Sequence, residues 1–271
     1  MKREVRAAVY DLGIESYRLE GLSRPFPNHF HCHFVLGLVE RGERRLSCNN
    51  ARYKIAVGNI VLFNPGDNHG CVQSGGVFDY RGMNISKKVM MDFAQKATGG
   101  QEVPIFSRNV IFDEELAFHF RSLHKIFMSE ESDFRKEEKL FHFMSILFKK
   151  YRQKLGGADF GCRDEIKTAC DFIEKNFAKR ICLGQICRHC GLSESTLLRA
   201  FSKCKGATPH SYLESVRIGA ARKLLEQGAP PIEVAARSGF SDQSHFMKCF
   251  TSFIGLTPGE YRNMFKKKEK E

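Results

Sequence analysis

The chain has 271 residues, of which 42% are apolar, and it carries a formal net charge of +12. This length permits two ordinary domains, each with its own core, and the apolar fraction excludes an intrinsically disordered protein. The sequence holds no apolar run of 18 residues and no apolar segment at its start. We therefore expect a cytoplasmic protein without a membrane span or a signal peptide. The ten cysteines are scattered, which predicts a reducing compartment rather than a disulfide framework.

Residues 5–85 carry short apolar segments that are separated by turn residues. The segment FVLGLVERGERRLSCN predicts two strands around a Glu-Arg-Gly turn. The segment YKIAVGNIVLFNPGDNHGC predicts a strand, a turn at Gly58, an apolar strand and a Pro-Gly turn. This spacing is typical of a small antiparallel β sandwich or barrel.

Within this region the segment HFHCHF, residues 29–34, alternates histidines with other residues. Every second side chain of a β-strand lies on the same face, so His29, His31 and His33 would share one face of a strand. Three interpretations are open. The imidazoles could contact a small ligand, they could bind a metal such as zinc or nickel, or they could be structural.

The pattern changes to a helical period between residues 113 and 155. The segment DEELAFHFRSLHKIF places an apolar stripe on one helix face, formed by Leu116, Phe120, Leu123 and Phe127. A second helix follows with the apolar residues Phe141, Met144, Leu147 and Phe148. These are too many for a lone surface helix, so we predict a dimer contact, with core packing against the barrel as the alternative. Residues 154–161, KLGGADFG, then indicate a linker.

Two segments of the C-terminal half resemble each other, LGQICRHCGLSESTLLRAFSKCKGATPHSY and PIEVAARSGFSDQSHFMKCFTSFIGLTPGEY. Five residues recur with a spacing of 49, as the pairs Phe201 and Phe250, Gly206 and Gly255, Thr208 and Thr257, Pro209 and Pro258, and Tyr212 and Tyr261. A period of this size indicates a duplicated supersecondary unit.

Each copy has the residue order of a helix-turn-helix. A short helix ends at Gly191 or Gly239, where glycine permits a positive φ in the turn. Ser193 or Ser241 can then cap a second helix, which we call the reading helix of its unit. Two ordered copies favour this motif over a generic pair of helices.

Charge and helix length both favour DNA as a partner. Residues 162–271 hold 19 Lys and Arg against 12 Asp and Glu, an excess that favours polyanions. The helix between the two copies begins with Thr208 as its cap and Pro209 in its first turn, and it ends before Gly228. At about 1.5 Å per residue it spans roughly 28 Å, and successive major grooves lie about 34 Å apart. Such a helix can hold two reading helices near adjacent grooves of one duplex.

The second copy, GFSDQSHFMKCFTSFIGLTPGEYR, resembles the signature of AraC-type (AraC/XylS) transcription regulators, and the resemblance covers residues 163–268. The N-terminal half is similar, more loosely, to the cupin-like sensor of the same family in HFHCHFVLGLVERG and GNIVLFNPGDNH. The resemblance implies two domains. Residues 1–158 would form an antiparallel β cupin-like barrel with helices, for effector binding and dimerisation. Residues 159–271 would form an all-α DNA-binding domain with two helix-turn-helix motifs.

In this family the reading helices enter the major groove. The residues expected to face the bases are Ser195, Thr196, Leu198 and Arg199 in the first unit and Gln243, Ser244, Met247 and Lys248 in the second. Arg199 could pair with guanine and Gln243 with adenine. The residues expected to point inward are Leu197, Phe201, Phe246 and Phe250, and the expected phosphate contacts are Lys203, Lys205 and Arg222.

The resemblance favours an effector pocket for the histidines, and the expected effector-binding residues are His29, His31, His33 and His69. Enzymatic cupins bind a metal with His-x-His, a nearby glutamate and a later histidine. His31, His33 and His69 could supply such a site, but the glutamate is missing at its usual spacing. A zinc site at Cys182, Cys187, His189 and Cys190 is rejected, because no second Cys-x2-Cys pair follows.

We therefore expect a sequence-specific transcription regulator, an activator by family resemblance, that responds to a small-molecule effector. The expected partners are double-stranded DNA, the effector, RNA polymerase and a second copy of the chain. No catalytic residue and no cofactor are expected. The alternatives are a metal-sensing regulator, a metal-dependent cupin enzyme fused to a DNA-binding domain, and a ligand-independent DNA-binding protein whose barrel serves only to dimerise.

Overall fold

The computed structural model describes residues 4–23, 25–73, 76–98, 104–152, 164–254 and 256–265. Contacts divide the chain into two compact units, here called the N-terminal unit (Met1–Pro25 with His31–Leu155) and the C-terminal unit (Phe26–Phe30 with Gly156–Glu271). The predicted linker, residues 154–161, lies outside the described residues. None of the helices in the described ranges combines the length and the apolar content needed to cross a bilayer.

Antiparallel strands dominate the first half of the chain. The strands are β1 (Glu4–Asp11), β2 (Ile14–Leu22), β3 (Phe26–His29), β4 (Phe34–Arg41), β5 (Glu43–Cys48), β6 (Ala51–Ala56), β7 (Asn59–Phe63), β8 (His69–Gln73), β9 (Phe78–Ile85) and β10 (Val110–Phe112). A six-stranded sheet has the order β1-β2-β9-β4-β7-β10, and the strands of a second, smaller sheet in the N-terminal unit have the order β8-β5-β6. The predicted antiparallel β domain is confirmed.

The chain passes from the large sheet to the small sheet between β4 and β5. Gly42 lies between these strands with φ 77°, and a Cβ at this position would overlap the carbonyl oxygen of Val77. Only glycine fits there, because the backbone is left-handed and closely approached. The predicted turn is present, but its two strands belong to different sheets and do not pair with each other.

The segment HFHCHF is not a single strand. β3 ends at His29, residues 30–33 lie outside any strand with a bend at Cys32 and His33, and β4 begins at Phe34. The expectation that one strand face carries all three imidazoles is therefore wrong. The reason is the bend, since the alternation of side chains holds only along an unbroken extended backbone.

Three helices cover the outer face of the large sheet. They are α1 (Lys87–Thr98), α2 (Glu114–Phe127) and α3 (Asp133–Tyr151). The sheet contributes the buried residues Phe34, Leu36, Leu38, Ile60, Leu62, Met83 and Ile85 to this core. The predicted stripe of α2 packs against them and is fully buried, namely Leu116, Phe120, Leu123 and Phe127.

The apolar residues of α3 lie mainly in the same core. Met144, Leu147 and Phe148 are buried there, whereas Phe141 remains 40% exposed. The prediction that these four residues form a dimer contact is thus wrong for three of them. The physical reason is that the apolar outer face of the sheet needs a cover, and α3 supplies part of it.

The C-terminal unit is helical apart from β3. Its helices are α4 (Asp164–Asn176), α5 (Leu183–Cys190), α6 (Glu194–Lys205), α7 (Pro209–Glu226), α8 (Pro231–Arg237), α9 (Gln243–Ile254) and α10 (Pro258–Asn263). One core joins α4, α5, α6 and the start of α7, and a second core joins the rest of α7 to α8, α9 and α10. Both predicted helix-turn-helix units are confirmed, as α5 with α6 and α8 with α9.

The two helix-turn-helix units have equivalent core contacts. Phe201 packs edge-on against Tyr212 with ring centroids 5.4 Å apart, and Phe250 packs in the same way against Tyr261 at 5.5 Å. The Tyr212 hydroxyl donates to Glu174 at 2.6 Å, and the Tyr261 hydroxyl donates to Glu226 at 2.7 Å. The predicted inward residues Leu197, Phe201, Phe246 and Phe250 are all fully buried.

The caps and cysteines differ in part from expectation. Ser193 caps α6 through Thr196 N–H, as predicted, but Ser241 does not cap α9. Asp242 has that role, because its carboxylate accepts from the backbone N–H of His245 at 2.7 Å. Eight of the described cysteines form no disulfide, whereas Cys204 is disulfide-bonded.

Candidate functional site

The first reading helix, α6, presents a polar surface beside its buried residues. Ser195, Leu198 and Arg199 are exposed, and Thr196 is half-buried. The guanidinium Nε of Arg199 donates to the carbonyl of Ser195 one turn earlier, at 3.3 Å. The four residues predicted to face DNA bases thus lie on the accessible side of α6, opposite Leu197 and Phe201.

The second reading helix, α9, has the same arrangement. Gln243, Ser244 and Lys248 are exposed and Met247 is half-buried. The N–H of His245 lowers the pKa of the capping Asp242 carboxyl, and the Ser241 hydroxyl adds to this effect. A negative charge at this end of the helix complements its dipole.

The predicted phosphate contacts are only partly accessible. Lys203 is exposed and Lys205 is half-buried. Arg222 is buried, its Nε donates to the Tyr261 hydroxyl at 3.0 Å, and its guanidinium lies 5.5 Å from the centre of that ring. The assignment of Arg222 to a phosphate contact is therefore wrong. Its position on α7 faces the second core, which the sequence alone did not reveal.

Three of the predicted effector residues lie together in the N-terminal unit. The rings of His31 and His33 stack with centroids 4.7 Å apart, and the rings of His31 and His69 lie 5.2 Å apart. His69 is buried, stacks on Phe63 at 3.8 Å, and its Nδ1 lies 3.0 Å from the carbonyl of Asp67. His69 also pairs in register with Cys48 of β5, so both side chains lie on the buried face of the small sheet.

His29 belongs by its contacts to the C-terminal unit. Its Nδ1 lies 2.7 Å from the carbonyl of Pro27, and its ring packs edge-on against Phe253 at 5.4 Å. Burial lowers the pKa of His29 to about 4, so the imidazole is neutral at physiological pH. Its role in effector binding stays a prediction.

One polar residue that sequence reasoning missed is Arg44. Arg44, Leu46 and Cys48 alternate along β5 on its buried face, whereas Arg45 is exposed. The Arg44 side chain is fully buried, donates through Nη2 to the carbonyl of Leu22, and lies 5.2 Å from the centre of the Phe78 ring. Among the described residues, its Nε and Nη1 have no hydrogen-bond partner.

The charge of Arg44 persists in this environment. Burial lowers the pKa of its guanidinium, but an arginine remains protonated in proteins. No salt bridge of the described residues includes Arg44, and a buried cation without a counter-ion is costly. The sequence carried one signal for this residue. The motif ERRLSC places two arginines side by side in a strand, and two adjacent side chains cannot both face solvent.

The inner face of the large sheet adds further polar groups. A Cβ at Gly37 would overlap the Tyr80 hydroxyl, and a Cβ at Gly82 would overlap the ring of Tyr17. The two glycines therefore make room for two phenol rings over the sheet, which lie 6.2 Å apart. On the neighbouring register row, Asn84 donates to the carboxylate of Glu15 at 2.7 Å.

Together these residues form what we call the inner face of the N-terminal unit, lined by Tyr17, Arg44, His69 and Tyr80 among apolar side chains. Burial raises the pKa of Tyr80 well above its ordinary value, and the neighbouring Tyr17 adds to the shift. Tyr80 is therefore a neutral hydrogen-bonding group. A buried cation with neutral donors suits binding of a small anion better than acid–base chemistry, which needs a group that titrates near neutral pH.

A zinc site in the first helix-turn-helix unit is rejected on its sequence, and the environments of its four residues agree with packing instead. Cys187 and Cys190 are buried, and Cys190 Sγ lies 3.7 Å from the carbonyl of Cys187. The His189 ring packs against Phe172 with centroids 4.7 Å apart, and Cys182 is exposed. Among the described residues, no group of potential metal ligands contains any of these four.

Known protein families match both the N-terminal and the C-terminal unit. Residues 13–144 match the model of the AraC-like ligand binding domain, and residues 186–264 match a helix-turn-helix domain. The uncharacterized HTH-type transcriptional regulator YbfI of Bacillus subtilis is 40% identical over 249 residues, which cover 90% of each chain. The transcriptional activator RhaR of Mannheimia succiniciproducens is 23% identical over 253 residues, again 90% of each chain.

Solved structures of ToxT from Vibrio cholerae share the fold. One aligns with a TM-score of 0.62 at 15% identity, and covers 95% of this chain and all of that one. Another, with a bound unsaturated fatty acid, aligns at 0.61 over the whole of both chains with 17% identity. From the two helix-turn-helix units, the antiparallel sensor and these relatives, we conclude that the chain belongs to the AraC family of DNA-binding transcription regulators with an N-terminal ligand-binding domain.

Proposed function

We propose that this regulator responds to a small organic anion, which binds on the inner face of the N-terminal unit with Arg44 as its counter-ion. The single observation that carries the proposal is the buried guanidinium of Arg44, two of whose nitrogens lack a partner among the described residues. A carboxylate or phosphate group accepts charge-assisted hydrogen bonds from such a guanidinium. An anion would thus supply both a counter-charge and an acceptor for at least one of these nitrogens.

The rest of the inner face suits the body of such a ligand. Tyr17 and Tyr80 offer hydroxyl groups, Asn84 is paired with Glu15, and the other buried side chains around them are largely apolar. Cys48 pairs in register with His69 and lies four residues after Arg44 on β5. At the rise of an extended strand, Arg44 is therefore about 13 Å along the strand from the His69 pair. We propose His31, His33 and His69 as polar contacts at the end of the face away from Arg44.

One structural neighbour binds an acid, which agrees with an anionic effector, but the proposal does not rest on it. ToxT has been solved with an unsaturated fatty acid. At 17% identity that likeness concerns the fold, and the ligand class rests on Arg44 alone. An effector can act only if it binds two arrangements of the protein with different affinity. Its binding must therefore change the affinity of the chain for DNA.

We propose residues 1–158 as the sensing domain and residues 159–271 as the DNA-binding domain. The proposed base contacts are Ser195, Thr196, Leu198, Arg199, Gln243, Ser244, Met247 and Lys248. Activation through RNA polymerase in the cytoplasm is proposed by analogy with the activator RhaR. We propose no catalytic activity, although one relative, 33% identical over 100 residues, is a bifunctional transcriptional activator and DNA repair enzyme.

We propose a homodimer through exposed phenylalanines, of which only Phe141 belongs to the set predicted from the sequence. Phe118 of α2 is 68% exposed, and Phe134 and Phe141 of α3 are 77% and 40% exposed. Phe134 and Phe141 lie two helical turns apart on one face, which would suit the same face of a second copy. The molar mass from light scattering tests this proposal, and Phe134→Ser should shift the equilibrium toward the monomer. An unchanged mass would contradict it.

The effector proposal is tested by the unfolding midpoint of the full-length chain with a panel of straight-chain carboxylates, aromatic carboxylates and sugar phosphates. Each anion is paired with its neutral alcohol or sugar. At least one anion should raise the midpoint while its neutral partner does not. Arg44→Met should abolish the rise, and Arg45→Met, at the exposed neighbour, should retain it. Stabilisation by neutral sugars only, or equal responses of both variants, would contradict the proposal.

Metal sensing is the second candidate, because the rings of His31, His33 and His69 lie within 5.2 Å of a neighbour in the cluster. Elemental analysis of untagged protein separates the two. A metal content that is lower by one per chain in a His31→Ala/His33→Ala variant would favour the metal sensor. The same metal content in wild type and variant would leave the anion proposal.

A further inference from the structure

A second cluster of potential ligands lies in the C-terminal unit, at the second reading helix. His245 and Cys249 are one turn apart on α9, and Glu214 lies on the neighbouring α7. Cys249 Sγ lies 3.4 Å from Glu214 Oε1 and 4.0 Å from His245 Nε2. His245 Nε2 lies 3.7 Å from the same carboxylate oxygen. One sulfur, one nitrogen and one oxygen thus converge on a point between two helices.

These distances match those around a zinc ion. Zn–S bonds of about 2.3 Å and Zn–N or Zn–O bonds of about 2.1 Å, at tetrahedral angles, put the ligand atoms about 3.4–3.6 Å apart. The observed separations of 3.4, 3.7 and 4.0 Å require only small rotations of the side chains. Two ligands with a spacing of four residues on one helix lie on the same face and can bind one metal.

The surroundings favour a borderline-soft cation. Cys249 is half-buried and its thiol donates to Glu214. A metal can take the place of that proton, because ligand thiols are bound as thiolates. The set of thiolate, imidazole and carboxylate suits zinc and disfavours magnesium or calcium.

A fourth ligand is close to the group. His210 lies one turn before Glu214 on α7, and its Nδ1 is 3.7 Å from the other carboxylate oxygen. Its side chain is 74% exposed and can rotate without disturbing the core. The four residues form two pairs with the same spacing, His210 with Glu214 on α7 and His245 with Cys249 on α9.

The cluster is not part of the duplicated scaffold. The positions 49 residues before His245 and Cys249 are occupied by Thr196 and Ala200, which offer no comparable ligand set. The reading helix α6 forms with Thr196 and Ala200 at these positions, so the fold does not require these ligands. The second unit therefore carries a feature that repetition of the helix-turn-helix does not explain.

We propose that Glu214, His245 and Cys249 bind a zinc ion, which crosslinks the second reading helix α9 to α7. The ion would stabilise the position of the helix that presents Gln243, Ser244 and Lys248. The site lies within the C-terminal unit, and its existence does not depend on the effector proposal.

Cobalt tests the site directly, because a thiolate bound to Co²⁺ gives a charge-transfer absorption that imidazole and carboxylate ligands lack. Full-length protein, stripped of metal with a chelator, is titrated with Co²⁺ and then with Zn²⁺. We expect one equivalent of cobalt with the thiolate absorption, which zinc abolishes. Cys249→Ser should remove the absorption, and His245→Ala should weaken cobalt binding about tenfold or more.

Two controls locate the metal. Cys182→Ser removes an exposed thiol of the same unit and should leave the absorption unchanged, and so should the His31→Ala/His33→Ala variant. Without metal, Cys249→Ser should unfold at the same temperature as the wild type, and zinc should raise the midpoint of the wild type only. No thiolate absorption in the wild type, its persistence in Cys249→Ser, or its loss in the histidine variant would overturn the proposal.

Discussion

The two helix-turn-helix units share their interior and differ on their surface. Phe201 with Tyr212 and Phe250 with Tyr261 have nearly the same edge-on geometry, at 5.4 Å and 5.5 Å. Each tyrosine also donates to a glutamate of an adjacent helix. On the surface, in contrast, Arg199 of α6 corresponds to Lys248 of α9. The repeated residues therefore stabilise the fold, and the residues that are not repeated can distinguish what each unit binds.

The largest expected effect concerns the repeated phenylalanines. Phe201→Ala and Phe250→Ala each create a cavity in a fully buried site and should cost about 3–5 kcal/mol of unfolding free energy. Denaturation by urea measures both values. Costs within about 1 kcal/mol of each other would agree with equivalent cores. A small cost at only one site would break the comparison.

The tyrosines sharpen the comparison at a smaller scale. Tyr212→Phe and Tyr261→Phe each remove a buried hydrogen bond to a carboxylate, which should cost about 1.5–3 kcal/mol. Tyr261→Phe should cost more, because the hydroxyl also accepts from Arg222 Nε. Combining Tyr261→Phe with Arg222→Met tests the reason, since the two losses should be less than additive. Full additivity would contradict it.

The surfaces should differ in what they contribute to DNA recognition. Arg199→Ala should weaken binding to a selected site by about 1–3 kcal/mol and relax the preference at one base pair. Lys248→Ala should change the preference less, because lysine lacks the planar fork of arginine. Binding titrations against single-base variants of the site, at fixed salt, measure both. A uniform loss on all sequences would instead mark Arg199 as a phosphate contact.

The smallest expected difference in unfolding free energy concerns the two helix caps. Ser193→Ala should cost about 1 kcal/mol at any pH. Asp242→Ala should have an effect that depends on pH, because the bond from His245 lowers the pKa of the folded Asp242. The stabilisation is complete above the pKa of unfolded aspartate and is lost as the pH falls through the lower folded value. Urea titrations should therefore show a smaller cost of Asp242→Ala in unfolding free energy at pH 3 than at pH 7. The cost of Ser193→Ala should be the same at both pH values.

Sequence reasoning succeeded where the signal is local or repeated. The turn glycines, the caps at Ser193 and Thr208 and the inward phenylalanines follow from spacing along the chain, and all are present. The failures are residues whose environment depends on distant elements. Arg222 has an ordinary helical position, and only the packing of α10 on α7 makes it buried.

The candidate sites illustrate the same limit. The alternating histidine segment predicted one strand, but the chain bends at Cys32 and His33. Arg44 was missed because charged residues are rarely buried without a partner, and its partner would be a ligand that the sequence does not contain. Glu214 and Cys249 are 35 positions apart in the chain, so no local motif indicates that they lie together with His245.

Calorimetric titration of the full-length chain measures whether an organic anion binds through Arg44. The ligand is the carboxylate or sugar phosphate that raises the unfolding midpoint most. We expect binding of one ligand per chain, weakened about tenfold or more by Arg44→Met and unchanged by Arg45→Met. Equal affinity of wild type and Arg44→Met for that anion would contradict it.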